Sequence, residues 1–140
     1  MNTPPKWFYI VASIALIWNI IGLLAVAMNF MLTPEQIAML PPEQQDLMKS
    51  TPMWSTAASS IAVITGTLGC IGLLIKKSFA KPLLLISIVA LIVQDIALFI
   101  VQNATAVLGI TPLIMQSFVM LIAIGLFVLS SKAKQNLWIN

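Results

Sequence analysis

Four long apolar runs, separated by short connections, leave this chain few ways to fold. They extend over about residues 7–32, 53–75, 82–102 and 112–131. Each is long enough to cross a hydrocarbon core of ~30 Å at ~1.5 Å per residue. A soluble domain would have to surround these runs with charge. Only 8% of the 140 residues are charged, however, and 60% are hydrophobic. The excess apolar surface must face lipid. The expected fold is a single all-α, integral membrane four-helix bundle spanning residues 1–140.

The connections carry the punctuation of helix ends. Thr33-Pro34-Glu35-Gln36 reads as a capping box with proline at the first helical position. A short helix with Ile37, Met39 and Leu40 should follow, end at Pro41-Pro42, and give way to a second with Leu47 and Met48 on one side. The segment 33–52 is thus expected to form two short amphipathic helices on the membrane surface. The same segment could instead cap a cavity between the spanning helices. Thr111-Pro112 suggests an N-cap followed by proline at the start of the fourth span. Trp7 and Trp54 sit where interfacial aromatic belts belong, and Trp138 should dip back into the interface.

Lysine placement sets the orientation. Lys6 precedes the first span, Lys76, Lys77 and Lys81 fill the second connection, and Lys132 and Lys134 follow the fourth span. Positive charge is retained in the cytoplasm, so both termini are expected inside, in a bacterial inner membrane. The first connection, with Glu35, Glu43 and Asp46 against Lys49, and the uncharged third connection fit the outside. Lys6 before an apolar run and Ala25-Val26-Ala27 could be read as a signal peptide. The run is longer than a usual signal core and continues to Leu32, which favours an uncleaved helix.

Asp95 is the residue most suggestive of chemistry. It lies ~21 Å along its helix from Lys81, well inside the hydrocarbon span. A carboxylate there costs at least ~2.5 kcal/mol on insertion scales, so it should face the bundle interior, water or another subunit. No lysine lies at similar depth, and the chain has no arginine or histidine. Asp95 is therefore either protonated, or in contact with water, a cation or a partner chain. Measured from the cytoplasmic helix ends, Asn19 lies at ~18 Å, Gln116 at ~22 Å and Ser59 at ~24 Å, close to the depth of Asp95. Gln94, Ser60 and Ser117 adjoin that layer. Ser87, Leu91, Asp95, Leu98 and Gln102 follow helical spacing. The expectation is a polar cluster around Asp95; the competing reading is ordinary hydrogen-bonded helix packing, worth ~0.6 kcal/mol per contact.

The second span carries small residues at Ser55, Ser59, Ala62, Gly66, Gly69 and Gly72. These let helix backbones approach closely, within one chain or between two copies. Cys70, in the same stretch, is expected to be a small buried residue. Asn103-Ala104-Thr105 matches a glycosylation sequon but lies too near the bilayer to be given weight.

Several function classes are disfavoured. One cysteine and no histidine exclude an intramolecular disulfide or dithiol pair and leave no cysteine–histidine metal site. Any serine nucleophile would lack a histidine or membrane-embedded lysine to activate it. One membrane carboxylate cannot make an acid dyad. Seven scattered lysines without arginine do not suggest nucleic acid as a partner. No catalytic, cofactor or metal site is expected.

Thr51-Pro52-Met53-Trp54, the run Ala62-Val63-Ile64-Thr65-Gly66-Thr67-Leu68-Gly69-Cys70, and Leu73-Leu74-Ile75-Lys76-Lys77 carry a resemblance. With Trp18-Asn19 and Thr33-Pro34-Glu35, they make the chain similar to a family of small bacterial four-helix membrane proteins. Some members of that family bear a sugar-transporter label. The resemblance implies solute transport without assigning residues to it. A weaker likeness to DoxX-like membrane proteins brings a redox role, which a single cysteine does not support. Two functions remain. One is small-solute or cation/proton-coupled transport, with the chain as an oligomer. The other is a non-catalytic accessory subunit, in which Asp95 pairs with a basic residue of a partner.

Overall fold

The computed structural model describes residues 3–103, 105–106 and 109–140, and within them the chain is helical, with no strand. Four of its helices are long and apolar enough to cross a membrane, which makes this a multi-pass membrane protein. Helix α1 spans Lys6–Phe30, after Pro5 holds the chain extended. Two short helices follow, α2 over Pro34–Ala38 and α3 over Pro42–Ser50. Both halves of the Thr33 capping box form: Gln36 N–H donates to Thr33 Oγ1, and Thr33 N–H donates to Gln36 Oε1. Gln45 Nε2 donates to the carbonyls of Leu40 at 2.6 Å and Ala38 at 3.2 Å, fastening α3 to the end of α2.

Helix α4 spans Met53–Leu74. Helix α5 spans Ala80–Asp95 and continues without a break as a π-helical segment over Ile96–Val101. Helix α6 spans Thr111–Gln135. The apolar run predicts a start at Pro82, and the helix begins two residues earlier, at Ala80. Proline is tolerated in a first turn, where its missing N–H has no intrahelical partner to lose. At α6 the expected cap shifts by one position. Ile110 occupies the N-cap without a side-chain hydrogen bond, and Thr111 is the first helical residue. The helix also runs past Ser131, carrying Lys132 and Lys134 in its last turn, where cations complement the helix dipole. Apolar composition marks the span; helical hydrogen bonding outlasts it. The sequon at residues 103–105 includes Ala104, which lies outside the described residues.

Helix α4 packs against both α1 and α5, and α6 packs against α5. The dominant core lies at the end that bears the lysines. There Phe8, Cys70, Leu73, Leu84, Leu126 and Ile139 join in one buried cluster. Trp138 adds an edge-on contact to Trp7 and another to Phe8, each with ring centroids 5.7 Å apart. The tail after α6 then pairs with the α4–α5 connection. Asn140 N–H donates to the Lys76 carbonyl at 3.2 Å, and Ser78 N–H donates to the Asn140 oxygen. Both helices turn into that pairing in the same way. Lys76 and Leu137 take left-handed φ values of 61° and 59°. The next residues donate back to the carbonyls of Gly72 and Ala133, both at 2.8 Å. The lysine end of the bundle is thereby closed.

Helices α1 and α6 contribute little to the interior. Ile10, Ile14, Ile17, Ile21 and Leu24 of α1 are exposed, as are Ile114, Phe118, Leu121 and Val128 of α6. In water this apolar surface would drive association; in a bilayer it is the lipid-facing surface.

Candidate functional site: a polar-lined cavity between the helices

Above the lysine-end core the bundle opens. A cavity of about 610 Å³ extends from Met48, Thr51 and Phe30, near α2 and α3, down to Leu84 and Leu126. Along α1 it runs from Phe30 to Trp18, ~18 Å of helix. Polar side chains occur at every level: Asn29, Thr51 and Thr56 near the mouth; Ser59, Gln94 and Gln116 midway; Asn19 and Ser87 towards the floor. All four spanning helices contribute an amide or a hydroxyl, and none of these lining residues carries a charge.

The floor is built by close packing of small residues. Gly66 lets Asn19 and Ser87 converge, because a β-carbon there would overlap Asn19 Oδ1 and lie 3.3 Å from Ser87 Oγ. Ser87 Oγ donates to the Ala62 carbonyl at 2.8 Å, joining α5 to α4. Asn19 Nδ2 donates to the Ala15 carbonyl at 2.9 Å and contacts Cys70 Sγ at 3.5 Å. Its donor side is thus held while its oxygen stays over Gly66. One turn down, a β-carbon at Gly69 would come within 2.8 Å of Leu84, and another at Gly72 would meet Phe79 at 2.8 Å. The small-residue stripe therefore faces neighbours in the same chain. Ala62 belongs to a second buried cluster with Ala90 and Leu91.

The structure brings Asn19, Ser59, Gln94 and Gln116 to one cavity, but Asp95 is not among its lining residues. Helical phase accounts for this. At ~100° per residue Gln94 falls ~20° from Ser87 around α5, whereas Asp95 falls ~80° away. Asp95 is half-buried, and its Oδ1 is enclosed without a hydrogen-bond partner among the described residues. It is the last α-helical residue before the π segment, a geometry that recurs at functional positions. Gln116 Oε1 is likewise buried and without a partner, but Gln116 belongs to the cavity. Of the residues flanking the polar layer, Ser60 and Ser117 bond back to their own helices through the carbonyls of Thr56 and Leu113.

Gln102 has a role its sequence position did not suggest. At the end of the π segment its Nε2 offers two N–H groups to three acceptors, the Leu47 carbonyl at 2.8 Å, Ser50 Oγ at 3.0 Å and Thr51 Oγ1 at 3.2 Å. It ties the end of α3, which supplies Met48 at the mouth, to α5. The i→i+5 bond from Gln102 N–H to the Ala97 carbonyl, 2.8 Å, sets its direction. A helical wheel with constant 3.6-residue phase could not have found it.

Comparison with protein-family models, curated proteins and solved structures finds no match to this chain.

Proposed function

We propose that this protein binds a small, uncharged, polar solute in the cavity between its helices and acts in the transport of that solute. The observation that carries the reading is the lining: amides and hydroxyls from all four spanning helices, with no charged side chain. Amides both donate and accept, and so match hydroxyl- or amide-bearing solutes. Gln116 Oε1, buried without a partner, supplies an acceptor that a solute donor would satisfy. The resemblance carried by Trp18-Asn19, Thr33-Pro34-Glu35 and the α4 run implies the same class of function. The lysine distribution would make the α2–α3 end the outer one. Passage to the other side then requires the closed lysine end to rearrange, or a second copy to complete the path.

Osmotic swelling of proteoliposomes with glycerol as the probe tests this reading. The wild type should admit glycerol faster than protein-free vesicles, and Gln94→Leu with Gln116→Leu should bring the rate back to that baseline. Equal rates for wild type and the double variant would contradict the proposal.

Asp95 supports a second reading. Asp95 lies in a spanning helix away from the cavity lining and keeps part of its side chain exposed, so a basic group on a neighbouring chain could meet the carboxylate there. In that case the protein is an accessory subunit held to a membrane partner by Asp95. Native mass spectrometry of wild type beside Asp95→Asn decides this. Loss of a second protein on substitution supports it, and an unchanged assembly contradicts it.

A further inference from the structure

Helices α1 and α6 meet in the lysine-end core but leave an apolar groove of about 460 Å³ between them, lined by Val11, Ile14, Trp18, Ile122, Gly125 and Leu129. The groove lies against the polar cavity, with Trp18, Ile122 and Leu126 lining both, so the side chains of these three residues are all that stands between the two. Gly125 lies in the middle of α6, and a β-carbon added there would meet nothing within 4 Å. No close approach among the described residues explains a glycine at that position, although glycine in a helix interior costs roughly 1 kcal/mol relative to alanine. It widens the groove instead.

We infer that the solute is a neutral amphiphile, a single-chain lipid with a hydroxyl-bearing head, whose head occupies the polar cavity and whose chain lies in the α1–α6 groove. This rests on the reading of the cavity as a site for uncharged polar solutes and names the class of solute. Three features select this occupant. The uncharged lining disfavours an ionic headgroup, which would be desolvated without a counter-charge. The unpartnered Gln116 Oε1 asks for a donor such as a hydroxyl. The groove, almost entirely apolar, lies on the lipid side of the cavity, so an acyl chain can stay in hydrocarbon while its head enters. A helix from a second copy could cover the groove, but its bulk could not also reach the Asn19–Ser87 floor.

The test is native mass spectrometry of the full chain titrated with 1-oleoylglycerol, comparing wild type, Gly125→Phe and Gln116→Leu. Gly125→Phe fills the groove at a position with free space, so its fold should persist, which circular dichroism checks. Saturable binding of one 1-oleoylglycerol per chain is expected. Each substitution should weaken it by about ten-fold, the effect of losing one buried contact or hydrogen bond, and anionic dioleoylphosphatidylglycerol should not compete. Binding unaffected by Gly125→Phe, or a wild-type dimer that Gly125→Phe splits, would overturn the inference. Glycerol uptake distinguishes the two levels. If it depends on Gln94 and Gln116 while 1-oleoylglycerol ignores Gly125→Phe, the inference alone fails. If it ignores Gln94 and Gln116, the cavity reading fails with it.

Discussion

Asn19 and Gly66 are fitted to each other: the side-chain oxygen of Asn19 occupies the space a β-carbon at Gly66 would need. The contact joins α1 to α4 at the floor of the cavity, and the Asn19 amide is held there by the Ala15 carbonyl and Cys70 Sγ. Gly66→Ala should therefore push Asn19 off these partners and destabilise the bundle by about 1 kcal/mol, the net worth of a hydrogen bond. In a double-mutant cycle, Asn19→Ala should absorb most of that loss. Unfolding in mixed micelles measures all four corners; strict additivity would mean that the two residues are not coupled.

The glycines separate into two kinds. At Gly69 a β-carbon would press on Leu84, a fully buried side chain, so Gly69→Ala should cost about 1–3 kcal/mol, as overpacking does. At Gly125 there is nothing to press on. Gly125→Ala should leave stability unchanged or raise it by up to about 1 kcal/mol through helix propensity. Measured side by side, Gly69→Ala should lose stability and Gly125→Ala should not, if the groove is open as described.

Gln102 holds the mouth of the cavity through α3. Gln102→Ala removes its bonds to Leu47, Ser50 and Thr51 while leaving the spanning helices intact. Hydrogen exchange over residues 42–50 should accelerate by about ten-fold, the equivalent of ~1.4 kcal/mol of local stability. Exchange in α4 should stay as it was.

Gln94 and Asp95 are neighbours in sequence, but Gln94 lines the cavity and Asp95 does not. Gln94→Leu should reduce solute uptake, because Gln94 lines the cavity. Asp95→Asn should insert normally and leave uptake within about two-fold, less than the loss of one hydrogen bond would cause. A larger effect of Asp95→Asn on uptake would show that Asp95 reaches the solute path in a conformation other than this one.

The spans, the capping box at Thr33 and the two short helices were legible in the sequence, because hydropathy and cap chemistry are local. The polar layer was legible in part. Helix rise gave the depths of Asn19, Ser59 and Gln116 well enough to bring all three to one cavity. Side-chain direction was harder to read. The two steps of four from Ser87 through Leu91 to Asp95 accumulate ~80° of rotation, whereas Gln94, seven residues on, is the better-phased residue. The π segment after Asp95 then reset the phase that a regular wheel assumes for Gln102. The burial of Ile139 and the pairing of the tail with the α4–α5 connection depend on tertiary contacts with no local signature.

The most direct test of the central claim, a polar cavity open to water at the α2–α3 end, is thiol modification in intact cells. Ser59→Cys and Gln116→Cys in a Cys70→Ser background would be treated with a membrane-impermeant methanethiosulfonate, with Ile17→Cys, exposed on α1 and outside both the cavity and the groove, as the control. Both cavity thiols should react from outside, and Ile17→Cys should not. Cavity thiols no more reactive than Ile17→Cys would contradict the open cavity.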